Sequence, residues 1–183
     1  PDSSRVGSTA APHLAGSGLG GGGFAVVVTP NGTQEVLDFR EVAPQAATQD
    51  MYSKAEAPDA SRIGGLAVAV PGEALGLAEL HRRHGRLPWV KVVAPAVKLA
   101  REGFPVGAHL AQALWEAEGA APELSMSLFG SVEVPEQGTV VRRIQLAQTL
   151  SALGEKGTPV LTEGLLAADL AKTIQGQGGI ITE

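Results

Sequence analysis

Ser17-Gly18-Leu19-Gly20-Gly21-Gly22-Gly23-Phe24 runs into Ala25-Val26-Val27-Val28-Thr29, then Pro30-Asn31-Gly32-Thr33, then Gln34-Glu35-Val36-Leu37-Asp38-Phe39-Arg40-Glu41. Val26 to Val28 is a β-branched run of the kind that fills a buried strand, and Val36, Leu37 and Phe39 make a second apolar strand beyond the turn. Asn31-Gly32 supplies the positive φ angles of a tight hairpin. The consecutive glycines ahead of the first strand carry no Cβ, so another segment or a substrate is free to approach the backbone there. The second strand ends at Arg40, just before Glu41-Val42-Ala43-Pro44 turns the chain away. A planar guanidinium at a strand end suits bidentate capture of a carboxylate, although a lone Arg is usually a solvated surface charge.

Gly18, Gly20 and Gly23 satisfy the spacing G-x-G-x-x-G. A dinucleotide site is nevertheless rejected, because that fingerprint follows a strand and opens a helix, whereas these glycines precede a hairpin. There is also no Gly-Lys-Ser/Thr of a phosphate-binding loop.

At 183 residues the chain is long enough for a domain with a real core. Aromatic content is 4%, so Ala, Val and Leu must do most of the packing. A net charge of −5 without a basic cluster gives no reason to expect nucleic acid or an anionic membrane as partner. The absence of cysteine excludes disulfides, thiolate catalysis and cysteine-ligated zinc. No apolar stretch reaches the roughly 18 residues of a spanning helix. Residues 1–16 read as a loose leader, with neither an initiator Met nor the pattern of a signal peptide, and residues 17–183 as one partial domain. The chain is therefore expected to be a fragment of a longer precursor.

Downstream the pattern is mainly helical. A polar connection over 44–65, with Met51 and Tyr52 tucked over the core, leads to a third short strand at Leu66–Val70. Pro71-Gly72-Glu73 then opens a helix that stops near His84-Gly85. Trp89, Val92, Val93, Ala96, Val97 and Ala100 form one apolar helix face, with a kink or restart expected at Pro95. The next helix presents Val106, Leu110, Ala113, Leu114 and Ala117, after which 118–137 reads as irregular. The last two helices span Arg142–Leu153, with Leu146, Leu150 and Leu153 inward, and Thr162–Gln175, with Leu166, Leu170 and Ile174 inward.

Groups able to do chemistry are sparse. Among His13, His81, His84 and His109, the pair His81 and His84 shares a helix face, but no third ligand accompanies it. With Arg82, Arg83 and the Gly85 stop beside it, a solvated cationic helix end is the better reading, and no metal is expected. No G-x-S-x-G elbow occurs and no Ser or Thr stands in a triad context. Asp38 and Glu41 flank Arg40 as ion-pair partners at least as readily as an acid/base couple.

Gly-Leu-Gly-Gly-Gly-Gly-Phe followed by Asp-Phe-Arg-Glu-Val-Ala-Pro resembles the large-subunit region of the γ-glutamyltranspeptidase family of N-terminal nucleophile hydrolases. Further segments agree in order: Ala67-Val68-Ala69-Val70-Pro71-Gly72-Glu73, His84-Gly85-Arg86-Leu87-Pro88-Trp89, Pro95 to Phe104, and Gly178-Gly179-Ile180-Ile181-Thr182. The resemblance implies an α/β fold, part of an αββα sandwich, and transfer or hydrolysis of the γ-glutamyl group of glutathione-like amides without cofactor or metal. It implies a precursor that cuts itself, so that the nucleophilic Thr begins a small subunit beyond this chain. Thr182, in its Gly-Gly-Ile-Ile-Thr context, is not that residue.

Of the family's functional residues one carries over: Arg40 matches the Arg that binds the donor's α-carboxylate. The glycine run is expected to line the core beneath it. Two segments depart from the pattern: residues 1–16 lack the upstream Asp- and Ala-rich helix, and Pro159-Val160-Leu161-Thr162-Glu163-Gly164 replaces a Phe-Tyr-x-Gly element. The resemblance further implies a periplasmic or extracellular location. The alternative is a non-catalytic module of the same fold that keeps the Arg40 pocket and binds an amino acid or an interaction partner.

Overall fold

The computed structural model describes residues 18–118, 124–131 and 133–182; the leader expected over 1–16, with His13 in it, lies outside them. The described chain divides into two compact units, one holding His81–Gly157 and the other Leu19–Leu80 with Thr158–Glu183.

The second of these begins with the hairpin. Strand β1 (Phe24–Val28) pairs antiparallel with β2 (Gln34–Asp38), in a register that sets Phe24 opposite Asp38 and Val26 opposite Val36. Gly32 adopts φ +83 while among the described residues only glycines have positive φ, so Asn31 does not take the left-handed conformation expected of it. Pro30 explains the difference. It fixes a negative φ at the first turn position, and the loop becomes a three-residue turn closed by Gly32 N–H to Thr29 O at 2.9 Å and Thr29 N–H to Thr33 O at 3.0 Å. The strand run expected to be buried is not: Phe24, Val26, Val28 and Val36 share one exposed face, Val26 with 71% of its surface open, while Leu37 points the other way and is buried.

From Pro44 to Gly64 the chain makes successive turns. Met51 is half-buried but Tyr52 is exposed, its hydroxyl donating to Leu66 O at 3.4 Å. The third strand expected at Leu66–Val70 does not form. A 3-10 turn (Gly65–Ala67) takes its place, and only Val70 makes a bridge, to Val42. Gly64 at φ +89 turns the chain, and Gly65 lies so close to the Ile174 carbonyl that a Cβ there would stand 2.2 Å from it. Helix α1 (Glu73–His84) follows as expected.

The helix expected over Thr162–Gln175 forms, running from Gly164 to Gly176. Extended Glu163 and left-handed Gly164 separate a one-turn α6 (Pro159–Thr162) from α7 (Gly164–Gly176). On α7 the buried residues are Ala167, Ala171 and Ile174, whereas Leu166 and Leu170 are exposed. Small side chains let this helix lie close to the Gly65 turn, so the alanines rather than the leucines face inward.

In the unit His81–Gly157, helix α2 (Trp89–Glu102) packs on α5 (Ile144–Lys156). Val92, Val93, Ala96 and Ala100 are buried on α2, and Ala147, Leu150, Leu153 and Gly154 on α5. Trp89 Nε1 donates to Leu153 O at 3.0 Å. Helix α2 runs through Pro95 without the expected restart; Pro95 and Lys91 are on the exposed side, where solvent can serve the carbonyl that a proline leaves without its helical partner.

Val106 precedes rather than joins α3 (Ala108–Glu118). It extends the short pairing of β3 (Phe104–Pro105) with β4 (Val140–Val141) by bonding Thr139 O and Gly138 N–H. Phe104, Val106, Leu110, Leu114 and Val141 form its core. The stretch read as irregular contains α4 (Leu124–Phe129), anchored by Ser125 Oγ donating to Glu133 O at 2.8 Å.

The open hairpin face generates a prediction. Four apolar side chains on one face of a two-stranded ribbon leave both strand edges and a hydrophobic patch uncovered. The 183-residue chain is expected to bind a hydrophobic dye, and Val26→Thr with Val36→Thr is expected to reduce that binding. A sharp reversible melt with no dye binding contradicts this.

Candidate functional site

Arg40 lies two residues past β2, yet its position is not that of a free loop. Phe39 continues the hairpin ladder through its N–H to Gly23 O at 2.9 Å and its carbonyl, which accepts from Gly23 N–H at 3.3 Å. On the other side, Val42 exchanges both backbone bonds with Val70, at 3.2 and 2.8 Å. Arg40 and Glu41 are therefore held between two paired residues.

Glycine makes that arrangement possible. A Cβ on Gly22 would stand 2.5 Å from the Phe39 carbonyl oxygen, and one on Gly72 would stand 2.2 Å from the same atom. One on Gly76, in α1, would sit 2.0 Å from Phe39 Cγ. Real Cβ atoms do not approach so closely, so three glycines from two segments, the glycine run and the start of α1, enclose Phe39. Gly21 completes the joint, its carbonyl accepting the N–H groups of Gly72 and Glu73, each at 2.9 Å, at the start of α1. A main-chain carbonyl thus serves the helix N-terminus that a dinucleotide phosphate would need.

On this base the Arg40 side chain is 63% exposed, with Nη1 3.0 Å from Glu41 Oε2. Asp38 Oδ1 accepts the Arg40 main-chain N–H at 3.0 Å. Asp38 and Glu41, read as neighbours of Arg40 from the sequence, hold its backbone and its head group respectively. Such a cation can receive a carboxylate on its open side. Arg40 is the one residue that the sequence named as substrate-binding. What the sequence did not disclose is that Gly72 and Gly76 are packing partners of Phe39; Gly72 read only as part of a helix start.

His81 Nε2 is 2.7 Å from Leu87 O, and its ring centroid is 5.1 Å from that of Trp89. His109 is exposed on α3. Among the described residues no three His, Asp or Glu side chains gather as metal ligands. Lys54, with Thr48, holds the exposed Asp50 carboxyl below its usual range, and burial lowers Arg143. A groove between α2 and α5, lined by Val90, Val97, Lys98, Arg101, Leu150 and Ser151, belongs to the other unit, and in it the Ser151 hydroxyl donates to Glu155 Oε1 at 3.1 Å. No helix among the described residues is long and apolar enough to cross a membrane.

Comparison with known proteins gives these features a context. The family profile described as Gamma-glutamyltranspeptidase matches residues 9–183. The chain is 42% identical over 172 residues to Scoloptoxin SSD14 of Scolopendra dehaani, covering 91% of this chain and 30% of that protein. It is 39% identical over 170 residues to glutathione hydrolase proenzyme 2 of Schizosaccharomyces pombe, covering 91% and 28%. The crystal structure of Helicobacter pylori γ-glutamyltranspeptidase superposes with a TM-score of 0.91 at 32% identity, over 98% of this chain and 54% of that one. The chain thus spans less than a third of the curated relatives' length.

The packing around Phe39 is tested by two alanine substitutions. Gly72→Ala drives a methyl into the Phe39 carbonyl and is expected to cost about 1–3 kcal/mol or more. Gly20→Ala enters open space and is expected to change stability by no more than about 0.5 kcal/mol. Denaturant unfolding of both checks this, and equal effects contradict the enclosure of Phe39.

Proposed function

The chain belongs to the γ-glutamyltranspeptidase family, and from that membership we propose that it is the large-subunit part of an enzyme that transfers or hydrolyses the γ-glutamyl group of glutathione-like amides. Its α/β fold is that of the N-terminal nucleophile hydrolases among which the solved γ-glutamyltranspeptidases fall. The observation that carries the proposal is Arg40: an exposed guanidinium on a backbone fixed from both sides, in an Arg-Glu-Val-Ala-Pro segment that matches the family's.

In this reading Arg40 fixes the donor's α-carboxylate while the amide at the other end of the glutamyl group reacts. The nucleophile is the N-terminal Thr of a small subunit cut from the same precursor. Its hydroxyl attacks the amide carbon, its own α-amine takes the hydroxyl proton, and the amine of the donor leaves carrying a proton. Water or an acceptor amine then attacks the acyl ester and releases the Thr. This chain contributes donor binding and the floor of the site, not the nucleophile. The open face of Phe24, Val26, Val28 and Val36 is where further strands of the sandwich pack. An export route, with function outside the cytoplasm, goes with the same reading.

Arg40→Lys tests the assignment in the complete, matured enzyme. Lys keeps the charge but loses the planar fork. A charge-assisted contact of this kind is worth roughly 1.5–3 kcal/mol, so KM for a γ-glutamyl anilide is expected to rise about ten- to a hundredfold. A rise confined to KM means the contact acts alike in ground and transition states. An unchanged KM with a lowered melting point contradicts the role.

A further inference from the structure

Glu41 presents an anomaly that carboxylate binding by Arg40 does not by itself explain. Its Oε2 has less than 1 Å² exposed to solvent and receives no hydrogen bond, although Arg40 Nη1 stands 3.0 Å away. The approach is thus a charge contact without the alignment of a hydrogen bond. A carboxylate oxygen removed from water and given no donor is costly unless a cation offsets it. The other adjacent carboxylate, Asp38, is engaged by the Arg40 main-chain N–H.

The backbone around Glu41 is as constrained as that of Arg40. Gly22 approaches the Glu41 nitrogen so closely that a Cβ there would lie 2.8 Å from it, and Val42 is paired with Val70. The root of the Glu41 side chain is therefore fixed, and one of its oxygens is shut in against one edge of the guanidinium. The Arg40 side chain stays 63% exposed against 23% for Glu41. One edge of the fork is thereby held while the rest remains open to an incoming group.

We propose that Glu41 is a positioning residue: its shielded Oε2 holds Arg40 Nη1 so that the opposite edge of the guanidinium is preset for the donor carboxylate. A long Arg side chain loses rotamer freedom when it binds, and a fork already held at one edge loses less. The inference rests on the reading of Arg40 given above. Glu41 touches no substrate in it and acts only through Arg40.

A double-mutant cycle in the complete, matured enzyme tests this, with a γ-glutamyl anilide as donor. Glu41→Gln keeps the shape and removes the charge. Alone it is expected to raise KM at least about threefold with kcat little changed, and in an Arg40→Lys background to add almost nothing. Glu41→Asp withdraws the carboxylate by one methylene and is expected to raise KM in the same direction by less; it serves also if Glu41→Gln fails to mature. A lowered melting point with wild-type KM overturns the proposal, because it leaves Glu41 a purely structural partner. An equal rise in KM in both backgrounds overturns it too, since Glu41 then acts on the donor independently of Arg40. If Arg40→Lys itself leaves KM unaltered, the carboxylate-anchor reading fails first, and that result is distinguishable from failure of the Glu41 proposal alone.

Discussion

The Phe39 carbonyl is approached by two glycines, and the Phe39 ring by a third, at distances that admit no Cβ. On this close approach of main chain to main chain the rest of the unit depends. It brings the glycine run, the end of the hairpin and the start of α1 to one place without side chains between them. Gly21 then gives its carbonyl to the first N–H groups of α1, and Val42 reaches Val70. Arg40 and Glu41 project from that joint. A side chain that must present a fixed fork is better placed on backbone held by such packing than on an open loop.

The same constraint organises the other end of this unit. Gly65 and Gly179 approach the last turn of α7, where Gly65 N–H donates to Gln177 O at 3.0 Å and Gly179 N–H to Ile174 O at 2.9 Å. The buried face of α7 is correspondingly small, Ala167 and Ala171 with Ile174. Close packing of backbone segments through glycine and alanine replaces the aromatic core that a composition with 4% aromatic residues does not supply.

Much of this was legible in the sequence. The hairpin, α1, the α2 face and α5 followed from periodicity and end signals, because each is decided locally. Arg40 stands out in the sequence because its segment resembles a family pattern, and its binding role is a proposal. The failures have tertiary causes. Val26 and Val28 have the composition of a buried strand, and in this chain nothing among the described residues covers their face. Leu66 to Val70 has strand propensity, but Gly64 and Gly65 turn it against Gln177 and Ile174. Hydrophobicity points Leu166 and Leu170 inward, whereas helix approach selects the alanines. The buried oxygen of Glu41 was beyond sequence reasoning, since it depends on the shape around one atom.

The central claim is that Arg40 recognises a carboxylate, and the most direct measurement varies the carboxylate itself. In the complete enzyme, kcat/KM is compared for a γ-glutamyl anilide and for its α-carboxamide analogue, in the wild type and in Arg40→Ala. The account predicts that the wild type prefers the carboxylate by about tenfold or more, and that the preference falls to near unity when Arg40 is removed. An undiminished preference in Arg40→Ala would contradict it, because some other group would then be reading the carboxylate.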